Sequence, residues 1–279
     1  MLNPIKYTNS KGQVVDFRKY ETVVYKAQFH SANWNVETVS QQYGVSVSSY
    51  GKDPLELEMT IAVRSNQKAN ILNDIFEIFE TDIFNNALGK LYFGDYYINC
   101  VIISNSTVPS EDFYGAEATF TIYAPYPFWI KEIKKDFLAE ESEKTNIGLN
   151  YPYNYKYDYT PEQKGLATWY VDHFTSSNFQ MYIYGECLNP RILINGYPYE
   201  VFVSLQKNEY LVIDNLNNNN TITQYRNNGT TVNLFDFRGG KDTNQSVFQK
   251  IPSGNLKINW SGDFSFSIKL FLERGVPEW

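Results

Sequence analysis

Histidine and cysteine are nearly absent from this sequence: His30, His173, Cys100 and Cys187 are the only ones among 279 residues. That excludes a His-rich zinc site, a His-Glu-x-x-His helix and a Cys-x-x-Cys pair. The two cysteines lie far apart among strand-like residues, so each is expected to be a buried reduced thiol rather than half of a disulfide. No run of about 18 apolar residues occurs, and residues 1–10 carry no apolar core of a signal peptide. The product is therefore expected to stay in the cytoplasm where it is made, with no membrane partner. Basic excess is missing too: 24 Lys and Arg stand against 31 Asp and Glu, giving a net charge of −7. The charges are interspersed, which argues against nucleic acid as a principal partner, because phosphate neutralisation needs a concentrated Lys/Arg face.

What is abundant is aromatic. Tyr, Phe and Trp number 23, 19 and 5, or 17% of residues, alongside many Val, Ile and Thr, a composition suited to pleated surfaces. A mainly β chain is expected. Val14 to Phe17 and Val23 to Phe29 are short β-like runs, and Ser10-Lys11-Gly12 supplies a turn before the first, so an N-terminal hairpin is expected. Val36 to Val47 reads as one strand with a modest apolar face, in which Tyr43, Val45 and Val47 alternate with Gly44 and Ser46.

After the Gly51-Lys52-Asp53-Pro54 break, Leu55, Leu57, Met59, Ile61 and Val63 alternate with Glu56, Glu58, Thr60, Ala62 and Arg64, so one face is buried. The period then changes. Ile71, Leu72, Ile75, Phe76, Ile78, Phe79 and Ile83 fall at helical spacings, with Ser65 or Asn66 as candidate N-cap. Lys90 to Ile103 and Gly115 to Ala124 return to strand, the latter with Ala116, Ala118, Phe120 and Ile122 on one face. A β-sandwich-like domain carrying one α-helix is expected over 1–130, ended by Pro125-Tyr126-Pro127-Phe128-Trp129. Residues 131–146 read as a charged connector, with Lys134-Lys135-Asp136 and Glu140-Glu141 among them. The Tyr-rich stretch from Tyr151 to Tyr159 reads as a long ordered loop.

The second domain, 147–279, is β by pattern. Arg191 to Ile194, Asn195-Gly196 and Tyr197 to Leu205 form the best short hairpin in the chain. Glu209 to Asp214 is a further strand, and Asn227-Asn228-Gly229 is a turn before Thr231 to Phe237. Phe264, Phe266, Ile268, Leu270 and Leu272 alternate with partners in a closing strand. Such density of short strands and turns means a sandwich or jelly roll.

Catalytic chemistry is hard to find. His30 ends a strand and suits a hydrogen-bonded structural role. Gly239-Gly240-Lys241 lacks the leading glycine of a phosphate loop and has Asp242 where Ser or Thr is required, so it reads as a turn. Glu56/Glu58 and Glu140-Glu141 sit in solvated patterns unlike a glycosidase pair. Asp214-Asn215-Leu216-Asn217 lacks the glycine and terminal glutamate of an EF-hand and reads as a polar loop. No cofactor, metal site or catalytic residue is expected.

Several strings, in order along nearly the whole chain, resemble the phage distal tail (Dit) family. Asp53-Pro54-Leu55-Glu56-Leu57, the helix, Gly89-Lys90-Leu91-Tyr92-Phe93 and Ala124-Pro125-Tyr126-Pro127-Phe128-Trp129-Ile130-Lys131 are similar to its N-terminal belt domain. Ile192-Leu193-Ile194-Asn195-Gly196, Leu211-Val212-Ile213-Asp214, Ile251-Pro252-Ser253-Gly254-Asn255 and Trp279 are similar to its C-terminal half. The resemblance implies a belt domain that assembles into a hexameric ring between tail tube and tail tip, carrying a galectin-like β-sandwich. It also implies a location in the virion tail tip and, as partners, further copies of the chain, the tail tube protein, tail-tip proteins and a receptor-binding protein.

A closed ring needs a heterologous interface, one patch of each subunit meeting a different patch of the next. Val36, Tyr43, Val45 and Val47 are the candidate ring-interface residues. The competing expectation makes the C-terminal sandwich a carbohydrate-binding adhesion module, with Trp169, Tyr170 or Trp260 stacking on a pyranose.

Overall fold

The computed structural model describes residues 4–18, 21–109, 115–139, 165–216, 219–241 and 245–278. The chain divides into two compact units, residues 1–131 with 273–279, and residues 132–272. Both are β-built, in line with the mainly β sandwich class.

In the first unit the expected N-terminal hairpin is present, but its strands are β1 (Ile5–Thr8) and β2 (Val14–Asp16), on either side of the Ser10–Gly12 turn. Strand β3 (Thr22–Ala27) pairs elsewhere. The segment read as a single strand over Val36 to Val47 is instead a hairpin of β4 (Asn35–Ser40) and β5 (Val45–Gly51). Gly44 takes φ +80° and its carbonyl accepts from the Gln41 amide at 3.1 Å, a geometry that reverses the chain where alternation alone suggested continuity.

Strand β6 (Leu55–Val63) buries Leu57, Met59, Ile61 and Val63, as its period requires. Helix α1 (Lys68–Phe84) follows and buries Leu72, Ile75 and Phe79. Neither Ser65 nor Asn66 is its N-cap: the residue before the helix is Gln67, which caps with no side-chain bond. Ser65 lies two positions too early and Asn66 one, and the Ser65 hydroxyl accepts the Gln67 amide at 3.1 Å in a local turn. Ile83, expected on the buried face, is 47% exposed.

Strands β7 (Gly89–Phe93), β8 (Tyr96–Pro109) and β9 (Ala116–Ala124) complete the two sheets of this unit. The first half of β8 pairs with β7, and the second half pairs with β9. This one long strand therefore serves two sheets, β2-β1-β7-β8 and β3-β6-β9-β8. They share an apolar core with α1, in which Phe79 meets Phe120 edge-on at 5.1 Å and Tyr7 at 4.9 Å. Each fully buried side chain of this kind contributes about 1.5–3 kcal/mol.

Residues 131–137, expected as part of an exposed connector, belong to strand β10 (Trp129–Phe137). Its charges alternate with Ile133 and Phe137, a period-two pattern that the density of Lys and Asp obscured. Residues 140–146 and the Tyr151–Tyr159 stretch lie outside the described residues.

The second unit contains β11 (Gly165–Val171), β12 (Asn178–Tyr184), β13 (Cys187–Leu188), β14 (Arg191–Ile194) and β15 (Tyr197–Glu200). It continues with β16 (Ser204–Leu205), β17 (Tyr210–Asp214), β18 (Thr221–Tyr225), β19 (Thr231–Asn233), β20 (Gly254–Trp260) and β21 (Phe266–Arg274), of which residues 273 and 274 count with the first unit. One sheet runs β19-β18-β17-β12-β21 and another β11-β20-β14-β15. Their inner faces, with Phe179, Met181, Ile183, Ile192, Ile258 and Ile268 among the members, form one core. The Asn195-Gly196 turn has φ of +50° and +83°, so both central residues adopt the left-handed geometry that this pair favours. The second strand of that hairpin stops at Glu200, and Ser204–Leu205 pairs instead with β13. The Thr231 run likewise stops at Asn233 and gives way to a 3-10 turn over Phe235–Phe237.

Candidate assembly surface

The β4–β5 hairpin is an arm: its two strands pair only with each other among the described strands, and neither has a buried residue. Cross-strand partners share a face, so the pairs Val36/Tyr50, Thr38/Val47 and Ser40/Val45 place Val36, Val45, Val47 and Tyr50 on the same side. Val39 points to the other side, opposite Ser46. Tyr43 is at the tip and 87% exposed. Three of the four expected interface residues thus share a face, and the fourth caps the end.

Tyr50 was not expected there. Counting by twos from Val45 and Val47 puts it on the opposite face. A bulge at Ser48, where Glu37 pairs with Ser49 and Thr38 with Val47, inserts one residue and turns Tyr50 back. The Ser48 hydroxyl donates to the Glu37 carbonyl at 3.1 Å and the Ser49 hydroxyl to the Glu37 carboxylate at 2.6 Å, fixing the bulge.

The sheet β3-β6-β9-β8 adds two unlike edges. On β3, Val23 and Tyr25 are exposed; on the far half of β8, Ile103 and Val108 are. Neither edge has a neighbouring strand among the described residues, and edges of this kind are templates for strand addition unless something covers them.

The residues considered for sugar stacking do not make a platform. Trp260 is 5% exposed, its indole N–H donates to the Phe264 carbonyl at 3.1 Å, and its ring meets Phe266 edge-on at 5.2 Å. It is a core residue, which overturns its expected role as a stacking surface. Trp169 and Tyr170 are successive residues of β11 and face opposite sides of the sheet. Trp169 packs against the core, while Tyr170 is 64% exposed.

The most buried polar pair was also not anticipated. The Tyr7 hydroxyl donates to the Asp82 carboxylate at 2.5 Å, and the same carboxylate accepts the Ser10 amide at 2.7 Å. Burial, then the Asp82 bond, push the Tyr7 hydroxyl far above the ordinary tyrosine range. Asp82 lies three residues after Phe79 and seven after Ile75, so the helical spacing does place it on the buried stripe. Its partner, 75 residues away, is beyond the reach of any local pattern. The pair ties α1 to the β1–β2 turn and is a structural pin.

Among the described residues no group of three or more His, Cys, Asp and Glu is arranged to hold a metal. Glu56 and Glu58 are solvent-facing residues of β6. The Asp214 carboxylate is engaged by Gln180 at 2.6 Å and by the Leu216 amide at 2.8 Å. Burial lowers the His30 pKa, partly offset by a bond to the Pro277 backbone. An open depression on the outer side of α1, about 560 Å³ and lined by Phe76, Glu77, Glu80 and Phe84, holds no catalytic constellation.

Cys100 and Cys187 are free and buried, and burial pushes their thiols up to about 12 and about 11. Folded protein at pH 8 should therefore leave Ellman's reagent almost colourless, while denatured protein should release two equivalents. Rapid reaction of either thiol in the folded state would contradict this burial.

The class defined by these features is a mainly β protein of two compact units whose distinctive surface is an apolar-faced arm and two sheet edges. No family model matches the sequence, and no curated protein matches it. Solved structures do match. The Dit (gp 19.1) protein of phage SPP1, described as a paradigm of the hub adsorption apparatus in phages infecting Gram-positive hosts, superposes with a TM-score of 0.59 at 11% identity. The match covers 97% of this chain and 99% of that one. A chain of the phage P2 baseplate in its activated conformation with Ca gives 0.62 at 11%, covering 99% and 100%. The corresponding baseplate with Sr gives 0.60 at 13%, with the same coverage. The chain thus has the fold of the phage Dit and baseplate chains over nearly its whole length.

Proposed function

We propose that this chain is a structural subunit of a phage tail tip that forms a hexameric ring joining the tail tube to tail-tip or baseplate proteins. The observation that carries the reading is the whole-length likeness, 97% of this chain against 99% of a hub protein. In this reading the first unit is the ring-forming belt, and the second is a galectin-like sandwich facing the adhesion components. The chain performs no catalysis and binds no nucleic acid. It resides in the virion, and its partners are further copies of itself, the tail tube protein, tail-tip proteins and a receptor-binding protein.

The surface supports this. A closed ring requires unlike patches that meet head to tail. The arm face of Val36, Val45, Val47 and Tyr50, with Tyr43 at the tip, is one such patch, and the edges of the β3-β6-β9-β8 sheet are others. Tyrosine suits such surfaces because it combines large apolar area with a polar tip.

Light scattering during size-exclusion chromatography, followed by negative-stain imaging, tests the reading. Annular hexamers are expected. Particles that contain this chain but show no sixfold annulus at the end of the tube would overturn it.

A further inference from the structure

The root of the arm is gripped by the far end of the chain. Trp34 directly precedes β4 and Lys52 directly follows β5, so these two residues flank the hairpin. The Lys52 ammonium donates to the carbonyls of Pro127 and Gly275, the latter at 3.3 Å. It also lies over the rings of Phe128 at 5.0 Å and Trp34 at 5.8 Å, which themselves meet edge-on at 6.1 Å. Gly275 lies beside the arm root: a Cβ on it would be in ordinary contact, 3.6–3.8 Å, with Lys52 Nζ, Ala32 and Trp34.

The segment that contains Gly275 is itself held at several points. The Tyr126 hydroxyl donates to Glu273 at 2.6 Å and His30 bonds the backbone of Pro277, while Arg274 pairs with Glu278 inside the segment itself. On the other side of the root, Asn35 donates to Asp53 at 2.6 Å. All these residues belong to the first compact unit, so residues 273–278 return to it at the end of the chain.

We propose that the segment 273–278 is a latch that sets the direction of the β4–β5 arm, with Lys52 as the positioning residue that joins the two. The Gly275 carbonyl adds an acceptor to an ammonium also held by the Pro127 carbonyl and the faces of Phe128 and Trp34, so the segment and the arm root share one cation. Partial burial lowers the Lys52 pKa, as expected of a cation taken out of water for this purpose. Val36, Val45, Val47 and Tyr50 then point wherever the latch aims the arm. The inference concerns a single copy of the chain and does not rest on ring formation.

The test is a distance measurement between spin labels on Tyr43→Cys at the arm tip and Glu77→Cys on α1, in the full chain. The two native cysteines are buried, so the introduced pair takes the label. With labelled chain diluted into an excess of unlabelled chain, so that only distances within one copy are read, the parent should give one narrow distance distribution. Lys52→Met, and separately deletion of residues 275–279, should raise the displaced-arm population roughly tenfold, the scale set by losing hydrogen bonds to a charged group. Lys52→Arg should stay near the parent, because it keeps the charge and the donors. A narrow, unshifted distribution in the deletion variant would overturn the latch. Should that variant fail to fold, Lys52→Met, checked by circular dichroism, decides alone. A parent with one fixed arm direction but no annuli would leave the latch standing while the ring fails.

Discussion

Replacing Val45 and Val47 together with glutamate should leave the chain folded and monomeric. Both side chains project from one face of the arm and are 61% and 47% exposed, so the isolated subunit loses little. A surface change of this kind alters stability by only about 0.5 kcal/mol. At an interface the outcome differs. Each carboxylate would have to shed water against an apolar partner or become neutral, at a cost of several kcal/mol per site, and a closed ring repeats that cost at every contact. Light scattering should report the monomer mass where the proposed ring would give the parent a hexamer mass, with an unchanged thermal melt. Val39→Glu, on the opposite face, is the control and should assemble. Annuli that persist in the double variant would remove the arm face from the interface and leave the sheet edges as the remaining candidates.

Gly89→Ala should destabilise the first unit by about 3 kcal/mol, combining overpacking with the separation of a buried hydrogen-bonded pair. Gly89 opens β7 opposite Cys100. A Cβ at this position would collide with the Tyr7 hydroxyl and the Asp82 carboxylate, the two atoms that bond each other inside the core. Either the pair separates or the strand moves. Against a typical domain stability of about 5–15 kcal/mol this is a large loss. Urea unfolding followed by tyrosine and tryptophan fluorescence measures it. Combining the change with Tyr7→Phe should be strongly non-additive, because the hydroxyl that obstructs the new methyl is then gone. A shift below about 0.5 kcal/mol in the single variant would mean that the pocket around Gly89 yields more easily than its packing indicates.

The limits of local reading show in particular residues. Strands β6 and β9 announce themselves because alternation is a property of one segment, and α1 does so because its spacing is too. The Asn195-Gly196 turn is legible for the same reason: left-handed backbone is a preference of those two residues wherever they stand. Tyr50 is not legible, since a bulge inserts one residue and switches the face of every later position in the strand. Strand β10 is not, since its three lysines, Glu132 and Asp136 imitate a linker. Trp260 and Trp169 look alike as text. The packing of β20 against Phe264 and Phe266 buries the first, whereas the second lies at the margin of the core.

By itself the sequence determined the mainly β class, the position of α1 and the period of its principal strands, because each is written within a few neighbouring residues. Tertiary structure decided the rest: that residues 35–51 leave the body as an arm, that Tyr7 meets Asp82, and that the last residues return to Lys52. Those pairings join segments from 75 to 223 residues apart. Only a folded chain, having given up its conformational entropy to bring them together, specifies which surfaces are covered and which remain to be shared.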